Sequence, residues 1–83
     1  MMKKLNIAII GLGNIGSYLF SYLKKNKLII AKKNNCIPNI VYVSAKNKNR
    51  KRSFKLNKKL WLNNYLQATK KKNVDLIVEL IGG

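Results

Sequence analysis

The sequence predicts an α/β domain in which a parallel sheet of three strands alternates with helices. Three observations carry this prediction: apolar, β-branched segments that suit buried strands, a segment of helical periodicity after the first of them, and another before the last. Their order along the chain is strand, helix, strand, helix, strand. Because parallel strands need long crossover connections, which helices supply, this order is typical of one half of a doubly wound sheet.

A glycine-rich turn follows the first predicted strand. The apolar run IAII ends in GLGNIG, with glycines at Gly11, Gly13 and Gly16. In this spacing Gly11 allows a tight turn, Gly13 leaves room for a pyrophosphate, and Gly16 lets the next helix pack closely. That helix begins near Asn14, and its first turn, with Ile15, directs backbone N–H groups and the positive end of the helix dipole at the phosphates. The motif, with a strand before it and a helix after it, predicts a Rossmann fold that binds a dinucleotide.

The first helix is predicted to end at about Lys25. Apolar residues recur in it at spacings of three and four, which predicts one buried stripe. The stripe consists of Ile15, Tyr18, Leu19, Tyr22 and Leu23. The apolar residues 28–31 follow, either as an extension of this helix or as a short separate one.

Three further elements follow. Residues 39–45, NIVYVSA, predict the second strand, and residues 74–81, VDLIVELI, predict the third. Residues 46–59 carry eight basic side chains and little apolar periodicity, so we expect an exposed loop. Residues 60–69 predict a helix with one apolar face, formed by Trp61, Leu62, Tyr65, Leu66 and Thr69. Right-handed crossovers place the second strand between the first and the third, which leaves the first strand with an unpaired edge.

The end of the second strand indicates which dinucleotide is bound. In this fold an acidic side chain at that position accepts hydrogen bonds from the ribose hydroxyls of NAD. Here the strand ends in Ala45 and Lys46, with further basic residues close behind and no carboxylate. A 2′-phosphate suits a lysine at this position, so the sequence favours NADP, with NAD as the second possibility. The structural alternative is a solvated lysine in a lysine-rich chain.

Four other side chains are candidates for a structural role. We expect Asp75 to start the third strand and to cap it or pair with a lysine. Glu79 lies where a cofactor passes, but a structural hydrogen bond is the favoured interpretation. Trp61 and Tyr65 are expected to pack rather than to stack on nucleic-acid bases.

Composition adds a competing hypothesis and excludes several classes of site. The net charge of +16 suggests a polyanion as partner, and a small basic nucleic-acid-binding protein is the alternative from a different class. However, 16 of the 18 basic residues are lysine, beside 12 asparagines and 10 isoleucines, which favours a compositional bias over a nucleic-acid site. The single Cys36 and the absence of histidine argue against an intrachain disulfide and a zinc site. No segment approaches the roughly 18 apolar residues of a membrane span. Because a single cysteine fits a reducing compartment, we expect a cytoplasmic protein.

Four blocks in order resemble the amino-terminal part of homoserine dehydrogenase: GLGNIG, VYVSAKNK, the predicted helix with Trp61, and VDLIVELIGG. The resemblance covers essentially the whole chain. It implies an oxidoreductase that uses NAD(P)H to interconvert aspartate semialdehyde and homoserine in threonine and methionine biosynthesis. It also implies that Ala45 and Lys46 lie by the phosphate of the adenosine ribose, and that Ile81 and Gly82 approach the nicotinamide. Lysine replaces the commoner arginine at position 46 and lacks its bidentate geometry.

The same resemblance implies that residues 1–83 form an NAD(P)-binding domain that is incomplete at its carboxyl end. In the family, the catalytic lysine and the acids that hold the substrate lie further along the chain, so no catalytic residue is assigned here. We therefore expect a fragment that is inactive alone, and a homo-oligomer only for a full-length enzyme. Another Rossmann oxidoreductase is the closest alternative, since a fold does not fix a reaction.

Overall fold

The computed structural model describes residues 3–46, 51–52, 54, 56–62 and 64–81. Its strands and helices are β1 (Lys3–Ile10), α1 (Asn14–Lys25), α2 (Lys27–Asn34), β2 (Cys36–Ser44), two short 3-10 helices (Lys58–Leu60 and Tyr65–Lys70) and β3 (Leu76–Glu79). The three strands form one parallel sheet. The predicted α/β class, a partial Rossmann fold with a parallel sheet, is confirmed.

The order of the strands differs from the prediction. β1 lies in the centre of the sheet, with β2 on one side and β3 on the other. β3 pairs with β1 from Leu76 opposite Ile7 to Glu79 opposite Ile10. The predictions that β2 separates the other two strands and that β1 has an unpaired edge were therefore wrong. The sheet has two outer edges, on β2 and on β3, and neither pairs with a further strand among the described residues.

Trp61 occupies the position beside β2 that the prediction gave to the third strand. It forms an isolated parallel bridge with Val43 on the outer side of β2, and the Leu62 N–H donates to the Val43 carbonyl at 2.9 Å. The position next to β2 is thus taken by one residue pair instead of a strand. From there the chain crosses to the other side of β1, where β3 forms.

α1 has the predicted bounds, but its buried face agrees with the predicted stripe only at Leu19 and Leu23, which pack against the core. Gly16 and Phe20 are its buried residues, and they turn toward the sheet. Of the predicted stripe, Ile15 and Tyr18 are about 70% exposed and Tyr22 is 47% exposed, so the prediction was wrong for these three. The helical spacing admitted both faces, but only the face with Gly16 allows α1 to lie close to β1. α2 is a separate helix that begins directly after Asn26.

The segment after β2 is less exposed than predicted. The Phe54 ring stacks on Phe20 with 4.4 Å between ring centroids, and Leu56 and Leu60 pack against the same core. The prediction of an exposed loop over residues 46–59 was wrong for Phe54 and Leu56, because a few apolar side chains without regular spacing are enough to attach the segment. Residues 47–50 lie outside the described residues.

The predicted helix over residues 60–69 was also wrong. This segment holds the Trp61 bridge and the second 3-10 helix, which Asn64 caps by accepting the Leu66 N–H at 2.9 Å. Ala68 is buried there, whereas Tyr65 and Leu66 are about half exposed. We expected Tyr65 to pack, and its exposure does not fit that role.

Asp75 joins the start of β3 to β1. Its carboxylate accepts the Asn6 N–H at 2.8 Å, and its own N–H donates to the Asn6 carbonyl at 2.8 Å. Asp75 therefore caps β3 by binding the backbone of the neighbouring strand β1. Capping was one of the two roles expected of it. No helix in the described part of the chain is both long and apolar enough to cross a membrane.

An Asp75→Ala variant is expected to lose about 1 kcal/mol of unfolding free energy, because the Asn6 N–H loses its acceptor at the strand junction. Urea denaturation followed by circular dichroism measures the loss. Asp75→Asn is the matched control, since its side-chain oxygen still accepts the bond and most of the stability should return. Equal losses in both variants would show that the hydrogen bond is not the cause.

Candidate dinucleotide-binding site

The carboxyl ends of the three strands meet around the glycine-rich turn. The N–H groups of Gly11 and Leu12 donate to the Ser44 carbonyl at the end of β2, at 2.9 and 3.0 Å. On the other side, the Leu80 N–H after β3 donates to the Ile10 carbonyl at 2.7 Å. The turn is thus attached to both neighbouring strands. In parallel α/β sheets this edge, outside the carboxyl ends of the strands, is where ligands bind.

Gly11 has a backbone that favours glycine. Its φ is +98°, in the region that side chains rarely adopt. A Cβ there would lie 2.8 Å from the carbonyl carbon of Leu80 and 2.9 Å from the nitrogen of Ile81. Gly11 therefore allows both the tight turn and the close approach of the chain after β3.

Gly13 and Gly16 have opposite surroundings. A Cβ on Gly16 would collide with the carbonyl oxygen of Gly11, so α1 lies directly against the turn. A Cβ on Gly13 would meet no described atom within 4 Å. The first position needs glycine for packing, and the second leaves space for a ligand to approach the backbone. These are the surroundings that the spacing of the motif requires.

The amino end of α1 faces the same space. Gly13 is the residue before the helix and has no side chain with which to cap it, and the first intrahelical bond runs from the Ser17 N–H to the Gly13 carbonyl at 2.8 Å. The backbone N–H groups of Ile15 and Gly16 belong to the first turn, where the helix itself offers no acceptor. Together with the helix dipole, they suit an anion such as a pyrophosphate.

The other predicted site residues follow the ends of the neighbouring strands. Ala45 and Lys46 come directly after Ser44; Ala45 packs against the core and Lys46 is exposed. Ile81 lies beside Gly11 and is 49% exposed. Gly82 was also predicted to contact the cofactor, but it lies outside the described residues. The structure thus brings the glycine turn, the end of β2 and the segment after β3 to one edge of the sheet.

Two side chains bind the turn itself. The sequence placed Arg52 only among the further basic residues after Lys46, as a lesser candidate for the 2′-phosphate, and it gave Ser17 no role. Arg52 donates to the Leu12 carbonyl through Nε at 3.3 Å and Nη2 at 3.1 Å, and the Ser17 hydroxyl donates to the same oxygen at 3.3 Å. Arg52 lies 40 residues from Leu12 along the chain. The sequence did contain one indication of a role for Arg52, because arginine is rare among the basic residues of this chain.

Acidic residues and metal ligands are sparse at this edge. Glu79 is exposed and lies opposite Ile10, where β3 ends. Within the described ranges, no three metal-ligating side chains come together. The groups that the described part of this edge offers to a ligand are the backbone N–H groups at the start of α1 and the exposed side chain of Lys46.

Comparison with solved structures finds crystal structures of homoserine dehydrogenase from S. aureus. The structure at pH 6.5 matches this chain with a TM-score of 0.84 and 30% sequence identity. The match covers 100% of this chain and 21% of that chain. At pH 8.5 the TM-score is 0.85 with 30% identity, and at pH 7.0 it is 0.81 with 29% identity. The chain thus spans about a fifth of the length of the structures it matches. No model of a protein family matches it, and no curated protein does.

Proposed function

We propose that this chain binds NADP at the edge where its three strands end, as the nucleotide-binding part of a dehydrogenase. The observation that carries the proposal is the contrast among the three glycines. Gly11 and Gly16 are packed against backbone, whereas a Cβ at Gly13, beside the first turn of α1, would meet no atom of the described residues within 4 Å. A turn that only reversed the chain would not need an open glycine at that place. The similarity to a dehydrogenase at 30% identity supports the same conclusion.

Three parts of the dinucleotide have a matching group in this chain. The N–H groups at the start of α1 bind the pyrophosphate, and Gly13 lets it approach the backbone. Lys46, exposed just after β2, binds the 2′-phosphate of the adenosine ribose. Ile81, beside Gly11, lies on the nicotinamide side. When bound, the cofactor supplies the hydride, and the protein supplies binding and orientation.

The reaction we propose for the complete enzyme is the interconversion of aspartate semialdehyde and homoserine. It rests on the similarity to homoserine dehydrogenase, of which this chain matches about a fifth. No residue of the chain is assigned to proton transfer or to substrate binding, so the chain alone is expected to bind cofactor without turnover. We further propose a cytoplasmic location and, for a complete enzyme, a homo-oligomer.

A nucleotide titration tests the proposal. The purified chain, shown to be folded by circular dichroism, is titrated into NADPH at near-physiological salt while the nicotinamide fluorescence is recorded. Saturable binding that NADP displaces is the expected result. An RNA oligonucleotide serves as the second competitor. If the folded chain does not bind NADPH, or if RNA displaces it with the steep salt dependence of phosphate contacts, the dinucleotide function is wrong.

A Lys46→Gln variant is expected to weaken NADP binding about fivefold and to leave NAD binding unchanged, because only NADP carries the 2′-phosphate. Isothermal titration calorimetry with both nucleotides measures the two dissociation constants. Lys33→Gln, at the exposed end of α2, removes the same charge away from this edge and is the control. Lys46→Arg should bind NADP at least as well as the wild type, since its forked donors suit a phosphate. An equal loss of affinity for NADP and NAD would show that Lys46 does not bind the 2′-phosphate.

A further inference from the structure

We propose that Arg52 is a positioning residue that holds the glycine-rich turn in the conformation that receives the pyrophosphate, and that Trp61 in turn holds Arg52. The proposal rests on the proposed function for the identity of the ligand. The contacts that carry it are all within the described residues and require no ligand. Arg52 itself makes no contact with the dinucleotide in this proposal.

The glycine-rich turn needs a contact that restrains its backbone. Leu12 stands between Gly11 and Gly13, and glycine loses more conformational freedom on folding than any other residue. The Leu12 side chain is buried, with 1% of its surface exposed, which fixes one side of the residue in the core. Its carbonyl belongs to the peptide that leads into Gly13, and hydrogen bonds to this oxygen fix the orientation of that peptide.

Arg52 supplies two of these hydrogen bonds. Its Nε and Nη2 lie 3.3 and 3.1 Å from the Leu12 oxygen. Hydrogen bonds from a charged donor are about twice as strong as neutral ones. The Ser17 hydroxyl adds a third donor at 3.3 Å from the first turn of α1. The orientation of this one peptide is therefore set from two directions, by the segment after β2 and by the helix.

The Trp61 ring contacts the guanidinium of Arg52 and holds it in place. The guanidinium carbon of Arg52 lies 5.4 Å from the centroid of the Trp61 ring, within the range of a cation–π contact. Trp61 is itself bridged to Val43 on the outer side of β2. A continuous set of contacts therefore runs from Val43 through Trp61 and Arg52 to Leu12, and it joins the rim of the sheet to the turn.

The chemistry of these contacts requires arginine. A guanidinium is planar, so it can lie over an indole while two of its N–H groups converge on one oxygen. A lysine ammonium can bind the carbonyl or contact the ring, but it has no second fixed donor. In a chain with 16 lysines and two arginines, Arg52 occupies a position where lysine cannot make the same contacts.

The first test compares nucleotides. Arg52→Gln should raise the dissociation constants of NADP and NAD by the same factor, about tenfold, because the two share the pyrophosphate and the lost bonds are charged. Arg52→Lys should give a smaller increase. Lys33→Gln removes the same charge on α2 and should change neither constant. A loss confined to NADP would show that Arg52 binds the 2′-phosphate directly, and no loss for either nucleotide would show that it does not position the turn.

The second test needs no nucleotide and so separates this proposal from the proposed function. The amides of Gly11 and Leu12 are bonded to Ser44, and their hydrogen exchange reports the closure of the turn. In Arg52→Gln both should exchange about tenfold faster, whereas the amide of Ile9 inside β1 should not change. If Arg52→Gln does not fold, Arg52→Lys serves with a smaller expected change. Unchanged exchange at the turn overturns the proposal, whereas failure of the wild type to bind any dinucleotide overturns only the proposed function.

Discussion

A Gly16→Ala variant is expected to lose about 3 kcal/mol of unfolding free energy, the upper end of the usual cost of overpacking. The added methyl group would collide with the carbonyl oxygen of Gly11. This oxygen belongs to backbone that cannot move away easily, because the Gly11 N–H is bonded to Ser44 and the chain at Leu80 lies against the same residue. Urea denaturation measures the loss. For a domain of this size it is a large part of the whole stability.

The matched control for this variant is Gly13→Ala, three residues earlier in the same motif. An alanine there meets no described atom within 4 Å, and the φ of −84° at Gly13 is one that alanine adopts freely. We expect its unfolding free energy to fall by no more than about 1 kcal/mol, the usual cost of replacing a good helix cap by alanine. Similar losses in the two variants would mean that α1 does not pack on the turn as described.

The same Gly13→Ala variant is expected to weaken NADP binding about tenfold or more. Its methyl group would stand in the open space that we assign to the pyrophosphate, so the phosphate oxygens could not reach the N–H groups at the start of α1. Calorimetric titration of the folded variant measures the effect. Gly16→Ala loses stability and Gly13→Ala loses binding, so the pair separates packing from recognition. Wild-type affinity in Gly13→Ala would show that the pyrophosphate does not approach this residue.

The strands and the turn could be predicted because their residues act locally. The β-branched run before Gly11 indicates a buried strand, and its central place in the sheet agrees with the full burial of Ile9. The glycine spacing identifies three different backbone requirements, and the surroundings of Gly11, Gly13 and Gly16 match them. The bounds of α1 also followed from periodicity.

The strand order could not be predicted, because no local pattern shows that β3 pairs with β1. The bridge between Trp61 and Val43 takes the position beside β2, and a single bridged residue leaves no apolar run in the sequence. The order of the strands along the chain therefore predicted β3 beside β2, whereas it lies beside β1. The apolar spacing of residues 60–69 was real, but it belongs to a bridge and short 3-10 helices.

The buried face of α1 and the role of Arg52 needed three-dimensional information. Ile15 and Phe20 are equally apolar in the sequence, and only the contact of Gly16 with the turn decides which of them is buried. The bonds from Arg52 to Leu12 span 40 residues, beyond the reach of any local pattern. The scarcity of arginine in a lysine-rich chain was the one signal that pointed to this residue.

Mapping of bound NADPH by nuclear magnetic resonance tests the central claim most directly. Backbone amide shifts of the labelled chain are recorded with and without NADPH at near-physiological salt. If NADPH binds where the three strands end, the large shifts should fall on residues 11–16, 45–46 and 81. The structure brings these residues to one edge of the sheet. Shifts spread over the lysines of α2, or a folded chain whose amides do not respond to NADPH, would contradict this claim.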